Sequence, residues 1–292
     1  MSLSLEGTLF RFATSPSLHA FESPASHAHT RYAIFVGGLT DGLLACDYVP
    51  RLAAACDLKG WALVQPLLSS ACKGYGTSSI AADAEELAAL VSHLRRTRQL
   101  RALALLGHSS GCQAAVAFLA AAPPPARQLV VACGLQAAVS DREAWAMEAE
   151  AEKRERTLRE AARLVAEGRG GQLLQELHYG FVPITAERYT SLFARGGDED
   201  FFSSDLTDDE LSARLGHMSG ADEYVPPHVD AAALAQRFAK ATGAPEATAT
   251  LVIEGANHAL TSPEGAADAF IDAVGELLDK AIGRKFSVDE DF

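Results

Sequence analysis

Two runs near the start of the chain, Leu5–Phe12 and Leu18–Glu22, alternate apolar with polar residues around a Ser-Pro turn. Alternation sends successive side chains to opposite faces of an extended chain, so this stretch predicts two short strands. The runs Tyr32–Val36, Trp61–Leu67, Leu103–Leu106 and Leu129–Cys133 are apolar almost throughout and predict buried strands. Helical spacing separates them at Leu44–Leu58, Ile80–Arg98 and Gly111–Ala121. In the second of these, Leu87, Leu90, Val91 and Leu94 share one face and the last turn is basic. Strands alternating with helices at this spacing predict an α/β fold: a mostly parallel central sheet with helices on both faces.

The alternation breaks at Ser140. From there to about Leu215 the pattern is mostly helical with polar interruptions. It resumes with a strand at Arg214–Met218, a helix at Val229–Thr242, a strand at Thr250–Ile253 and a helix at Gly265–Ile282. A helical insertion between two parts of a sheet reads as a cap. The division is therefore 1–139 for the first part of the core, 140–215 for the cap, 216–283 for the second part, and a polar tail over 284–292. The first cap helix is read from Asp141 to about Glu167, with Ser140 as N-cap and Glu143 at capping-box spacing. Farther on, Leu174, Leu177, Tyr179, Phe181 and Tyr189 are too apolar for an insertion that only faces water. They are expected to roof an apolar pocket above the candidate nucleophile Ser109, with Tyr179 and Phe181 as substrate-pocket residues.

Composition narrows the classes. Of 292 residues, 48% are hydrophobic, enough for a sizeable core, which excludes a disordered chain. No apolar run approaches the length of a membrane-spanning helix. A formal charge of −13 repels phosphate backbones and anionic lipid, so nucleic acid and membrane are not expected as partners. Cys46, Cys56, Cys72, Cys112 and Cys133 are odd in number, scattered, and at no zinc-binding spacing. With an N-terminal stretch unlike a signal peptide, they predict a cytoplasmic protein whose cysteines are free and buried.

The candidate chemistry centres on Gly107-His108-Ser109-Ser110-Gly111, a G-x-S-x-G pattern with a strand before it and a helix after it. In such an elbow the serine occupies a strained turn, and residues two positions away on each side must be small. Gly107 and Gly111 hold those positions. The hydroxyl of Ser109 is then pushed out above the sheet, and the Ser110 N–H at the helix start is placed to stabilise an oxyanion. A serine needs a base oriented by a carboxylate, and the chain order is serine, acid, histidine. His258 ends a strand-to-loop segment, and Asp222 lies in the loop after Arg214–Met218. Glu223 is the rival acid, while Asp205, Asp208 and Asp209 fall within the cap. The loop Gly37-Gly38-Leu39 offers the Leu39 N–H as second oxyanion donor, with Gly38 against the substrate. Cys112 and His108, beside the elbow, read as packing residues. There is no dinucleotide fingerprint, no Walker lysine and no metal-ligand spacing, so neither cofactor nor metal is expected.

Several further segments extend the pattern: Phe-Val-Gly-Gly-Leu-Thr-Asp-Gly (35–42), Gln-Pro-Leu-Leu-Ser-Ser (65–70), Gly-Tyr-Gly-Thr-Ser-Ser (74–79), Gln-Ala-Ala-Val-Ser-Asp-Arg-Glu (136–143), Asp-Glu-Asp-Phe-Phe-Ser-Ser-Asp-Leu (198–206) and Ser-Gly-Ala-Asp-Glu-Tyr-Val-Pro (219–226). Over roughly residues 30–260 the sequence resembles an α/β-hydrolase family of fungi, plants and protists, long known as a domain of unknown function. Its better-understood fungal relatives are esterases of fusarinine-type hydroxamate siderophores. The resemblance implies an α/β-hydrolase fold with Ser109, Asp222 and His258 as nucleophile, acid and base. Ala137-Ala138 replaces the family's Gly/Ala-Pro step, and Ser110 stands where Thr is common, which bears on pocket shape. The expected activity is serine-dependent cleavage of a small carboxylic ester, of siderophore type by analogy. A thioesterase, lactonase or acyltransferase would use the same triad, and a ligand-binding receptor could retain it.

Overall fold

The computed structural model describes residues 3–24, 29–216, 231–242 and 248–289. The strands are β1 (Thr8–Thr14), β2 (Ser17–Ser23), β3 (Arg31–Val36), β4 (Ala62–Leu67), β5 (Ala102–His108) and β6 (Val130–Gln136). They form a sheet of order β1-β2-β4-β3-β5-β6. The hairpin β1–β2 is antiparallel and pairs antiparallel onto β4, while β4, β3, β5 and β6 run parallel. The helices are α1 (Val49–Leu58), α2 (Ile80–Arg98), α3 (Gly111–Ala121), the short α4 (Pro124–Arg127), α5 (Asp141–Glu148), α6 (Ala151–Ala166), α7 (Ala186–Phe193), α8 (Asp208–Leu215), α9 (Ala231–Ala241) and α10 (Ala266–Asp289).

The period-two pattern of β3 decides which layer sits where. Tyr32, Ile34 and Val36 join the core beneath α2 and α3, with Leu87, Leu90, Leu94 and Phe118. Ala33 and Phe35 face the opposite core, with Leu52 of α1 and Phe270, Val274 and Leu278 of α10. Both faces of the parallel strands are therefore covered, as their uninterrupted apolar runs require. A third cluster lies apart from the sheet: Ala161, Leu164, Leu174, Val182, Ile184, Tyr189 and Phe193 pack around Tyr75.

Three sequence expectations change. Arg214 and Leu215 end α8 instead of opening a strand, and Met218 lies outside the described residues. The cause is local: Thr207 and Glu210 form a reciprocal capping box, and Leu211 and Leu215 bury one helical face. Residues 251–253 form no strand; Val252 is exposed and Ile253 packs partly against the α1–α10 core. The helix expected from Asp141 to about Glu167 is broken in two at Ala149 and Glu150, where Ala149 turns extended and its carbonyl accepts from Arg154. Ser140 does cap α5 by accepting from the Glu143 N–H. The Glu143 carboxylate is used elsewhere, taking the N–H and hydroxyl of Ser204. Smaller shifts follow from single residues. Pro50 sets the start of α1 at Val49, five residues later than expected, and α10 continues past Ile282. Four cysteines are buried, whereas Cys72 is exposed.

Candidate active site

β5 delivers Ser109 to the C-terminal edge of the sheet. Ser109 has φ 55°, a left-handed conformation costly for a residue with a side chain. It is held there from both sides: its N–H donates to the Gln136 carbonyl at 2.9 Å, and its carbonyl accepts from the Cys112 N–H at 2.9 Å. The flanking glycines are sterically required. A Cβ on Gly107 would stand 2.7 Å from Cys112 Cα, and one on Gly111 would stand 2.6 Å from the Gly37 carbonyl oxygen and overlap that of Val36.

The loop after β3 lies against this turn. Asp41 Oδ2 accepts the Gly38 N–H at 2.7 Å, and the Asp41 N–H returns to the Gly38 carbonyl at 3.2 Å. Thr40, between them, is left-handed with φ 68°. A Cβ on Gly38 would come within 2.6 Å of Ser109 Cβ and 3.0 Å of its Oγ, so only glycine lets the loop approach so closely. With the Gly38 N–H engaged, the next donor along the loop is Leu39. Among the described residues neither the Leu39 nor the Ser110 N–H has a backbone acceptor.

His258 follows Asn257 in a loop that Asn257 closes, accepting from the N–H of Thr261 at 2.8 Å and donating to its hydroxyl at 2.6 Å. Gln136, at the end of β6, carries His258 to the edge where Ser109 emerges: its Nε2 donates to the His258 carbonyl at 3.1 Å. The other end of the same amide pairs with His108 Nδ1 and accepts from the Tyr48 hydroxyl at 3.0 Å. The His108 and His258 rings are 4.9 Å apart. Burial pushes His258 down to about 4, His108 adds to the shift, and Asp41 opposes it. Burial also lowers His108, against its hydrogen bond to Gln136, and raises Asp41, against the Gly38 N–H and His258. The ring of His258 is therefore neutral at pH 7, the form that accepts a proton. Asp222 and Glu223 lie outside the described residues. Cys112 is fully buried with its Sγ 3.4 Å from the Gln136 carbonyl, the packing role its position suggests.

A cavity of about 40 Å³ opens beside this turn, lined by Gly38, Leu39 and Ser110 on one side and Tyr75, Asp83 and Arg188 on the other. Tyr179 and Phe181 do not line it. They sit on a tight turn in which His178 and Val182 exchange backbone hydrogen bonds, with Gly180 left-handed at its centre. That turn leaves them 43% and 47% exposed, and Lys73 Nζ lies over the Phe181 ring. Leu174 and Tyr189 are buried in the third cluster, and Leu177 is exposed. Sequence reasoning missed Gln136, Asp41, Asp83 and Arg188. Asp41 and Gln136 stand within segments singled out for other reasons, but no periodicity marks Asp83 or Arg188 as facing one cavity. Among the described residues no group of three or more His, Cys, Asp or Glu is arranged to hold a metal ion. Among them, too, no helix is long and apolar enough to cross a membrane.

Comparison with known proteins agrees with this geometry. A family model described as a protein of unknown function (DUF1749) matches residues 1–279. UPF0613 protein PB24D3.06c of Schizosaccharomyces pombe is 33% identical over 261 residues, covering 79% of this chain and 82% of that protein. Fusarinine C esterase sidJ of Aspergillus fumigatus is 29% identical over 297 residues, covering 80% of this chain and 84% of the esterase. In three dimensions, siderophore hydrolase EstB from Aspergillus fumigatus matches with a TM-score of 0.77 at 24% identity, over 96% of this chain and 98% of that one. The elbow, the covered parallel sheet and a family match over nearly the whole length lead to one assignment: the chain belongs to the DUF1749 family and has the α/β-hydrolase fold.

Proposed function

We propose that this protein is a serine hydrolase that cleaves a carboxylic ester through an acyl-enzyme on Ser109. The observation that carries the reading is Ser109 itself, left-handed at a strand-to-helix turn, with the Leu39 and Ser110 backbones on the cavity beside it. Ser109 Oγ attacks the acyl carbon while His258 takes its proton. The Leu39 and Ser110 N–H groups receive the oxyanion, whose charge develops where two fixed donors need no reorganisation. His258 then gives the proton to the leaving alcohol. Water, deprotonated by His258, attacks the acyl-enzyme and releases the acid. Asp222 is the residue we assign to orient His258 and stabilise its charged form. The burial that keeps His258 neutral at pH 7 supports its role as base.

The relatives support a substrate class. One is named as a fusarinine C esterase and another as a siderophore hydrolase, which supports a siderophore-type ester. A fluorophosphonate probe tests the nucleophile: its mass should appear on the peptide containing Ser109. Ser109→Ala should lose about 10⁴-fold or more in kcat on esters. Labelling elsewhere, or a variant keeping more than about a tenth of the rate, would remove Ser109 from the mechanism.

A further inference from the structure

Beyond the oxyanion donors the cavity runs into buried charge that ester cleavage leaves unused. Arg188 of α7 and Glu199 are each 3% exposed, and Asp83 of α2 is 4% exposed; all three line the cavity. Arg188 Nη1 lies 2.7 Å from Glu199 Oε1, which also accepts from the Ser191 hydroxyl at 2.9 Å. That approach is an ion pair without hydrogen-bond geometry: Arg188 Nε and Nη1 and Asp83 Oδ1 have no hydrogen-bond partner among the described residues. Buried polar atoms are almost always satisfied, because an unmade hydrogen bond there is not replaced by solvent. Such donors on Arg188 and such an acceptor on Asp83, two residues lining a single cavity, point to a group that bonds to both residues.

The surrounding charge selects that group. Asp141 lies within electrostatic reach of Arg188, and Glu86 within reach of Asp83. One guanidinium among four carboxylates repels an anion. An ammonium would satisfy Asp83 and leave Arg188 Nε without an acceptor. A hydroxyl serves both, its oxygen accepting from Arg188 and its hydrogen pointing to Asp83. Burial raises Asp83 to about 6 and Glu199 to about 7, which also suits an uncharged guest. The leaving alcohol must lie near His258, which returns its proton, and His258 is not among the residues lining the cavity, which favours the acyl side. We propose that this cavity is an acyl-side subsite in which Arg188 and Asp83 bind a hydroxyl group carried by the acyl chain. The inference rests on the ester-hydrolase reading. About 40 Å³ admits a short chain end, not a bulky one.

The test is a set of methyl esters followed by pH-stat titration. Methyl 3-hydroxybutanoate is compared with methyl 3-methylbutanoate, and methyl 6-hydroxyhexanoate with methyl heptanoate, each pair exchanging hydroxyl for methyl. Methyl 6-aminohexanoate and monomethyl adipate supply a cation and an anion. At least one hydroxyacyl ester should exceed its methyl partner by about tenfold or more in kcat/KM, since a site built for a hydroxyl rejects the analogue lacking it. In Arg188→Met that ratio should fall towards one. Because losing Arg188 alone strands the buried Glu199 charge, a second variant, Arg188→Met with Glu199→Met, replaces both by apolar side chains. Ratios near one in the wild type, with the plain esters still cleaved, overturn the subsite and leave the hydrolase reading intact. A preference for the ammonium ester, or a hydroxyl preference that survives in the double variant, overturns it as well. No turnover of any ester overturns both readings.

Discussion

Gln136 Nε2 donates to the carbonyl oxygen of His258 at 3.1 Å, while the main-chain carbonyl of Gln136 holds the N–H of Ser109 at 2.9 Å. One residue at the end of β6 thus ties the backbone of Ser109, the proposed nucleophile, to that of His258, the proposed base. Gln136→Leu keeps the main-chain bond and removes the side-chain one. It should lower kcat by about 10²-fold with little change in KM, because small misplacements of reacting groups cost that much. Steady-state kinetics set against thermal melting separates the roles. If the melting temperature falls while kcat per folded molecule holds, Gln136 supports the fold only.

The orienting acid is assigned by chain order, and Asp41 offers a second carboxylate that influences His258. Asp41 is already committed to the Gly38 N–H. Asp222→Asn should therefore impair kcat strongly, by about 10⁴-fold where an amide cannot stabilise the imidazolium. Glu223→Gln should matter much less. Asp41→Asn keeps an acceptor for Gly38 and should fall between them. A ranking led by Asp41→Asn would transfer the orienting role to the loop after β3.

How much of this was legible in the sequence depends on how local the cause is. The elbow is local: two glycines, a serine, and a strand and helix around them lie within adjacent residues. So are β3 to β6, whose apolar runs need covering on both faces whatever the rest of the chain does. The break at Ala149 and Glu150 was not readable, because nothing in the Ala- and Glu-rich run marks the extended turn at those residues. The role of Gln136 was hidden as well, since it depends on a partner 122 positions away. Arg188 and Asp83 converge from different helices, and that convergence exists only in the folded chain.

Two glycines near Ser109 should fail in different ways. At Gly38 the added methyl meets the Ser109 side chain, at 2.6 Å from Cβ and 3.0 Å from Oγ. Gly38→Ala should therefore displace Ser109 and its facing loop and lower kcat, with a smaller loss of stability than at Gly111. At Gly111 the added methyl meets the backbone carbonyls of Val36 and Gly37, which cannot give way without moving β3. Gly111→Ala should lower stability by about 1–3 kcal/mol, as overpacked cores do. Melting curves and single-turnover rates on both variants check the contrast; equal losses of stability would refute it.

Glu199 should lose its contribution to stability as pH rises through about 7. Burial lifts Asp141 and Glu199 to about 7, partly offset by Arg188. A carboxyl raised on folding stabilises the folded state while protonated, and that contribution is lost as pH climbs through its folded value. His178 and His258, lowered by burial to about 4, and His93 and His108, also lowered by burial, act in the opposite direction, and their gain is complete only about one unit above the ordinary histidine value near 6.5. The two contributions therefore oppose each other over this range, and removing one carboxyl isolates its share. Melting temperatures at pH 6.5, 7, 7.5 and 8 should fall more steeply, or rise less, for the wild type than for Glu199→Gln. Parallel profiles for the two proteins would mean that Glu199 is ionised throughout.

The exposed turn of Tyr179 and Phe181 bears on substrate size. Neither ring lines the cavity beside Ser110, whereas Tyr75 does, with its hydroxyl 2.6 Å from His178 Nδ1. Tyr179 packs on His178 and Trp145, and Phe181 faces Lys73, so both extend the apolar surface outward from the third cluster. A short acyl chain ends inside the cavity and never reaches them. A large substrate must cross that outer surface. Tyr179→Ala with Phe181→Ala should therefore change the ranking among bulky esters while methyl acetate is still hydrolysed. Tyr75→Leu should disturb small and large substrates together, because it alters the cavity wall and removes the hydrogen bond that joins the turn before α2 to His178. The measurement is kcat/KM across an acyl series from acetate to branched and aromatic esters, in all three proteins. If the double variant slows every member by the same factor, Tyr179 and Phe181 support the packing around Trp145 and take no part in selecting the substrate.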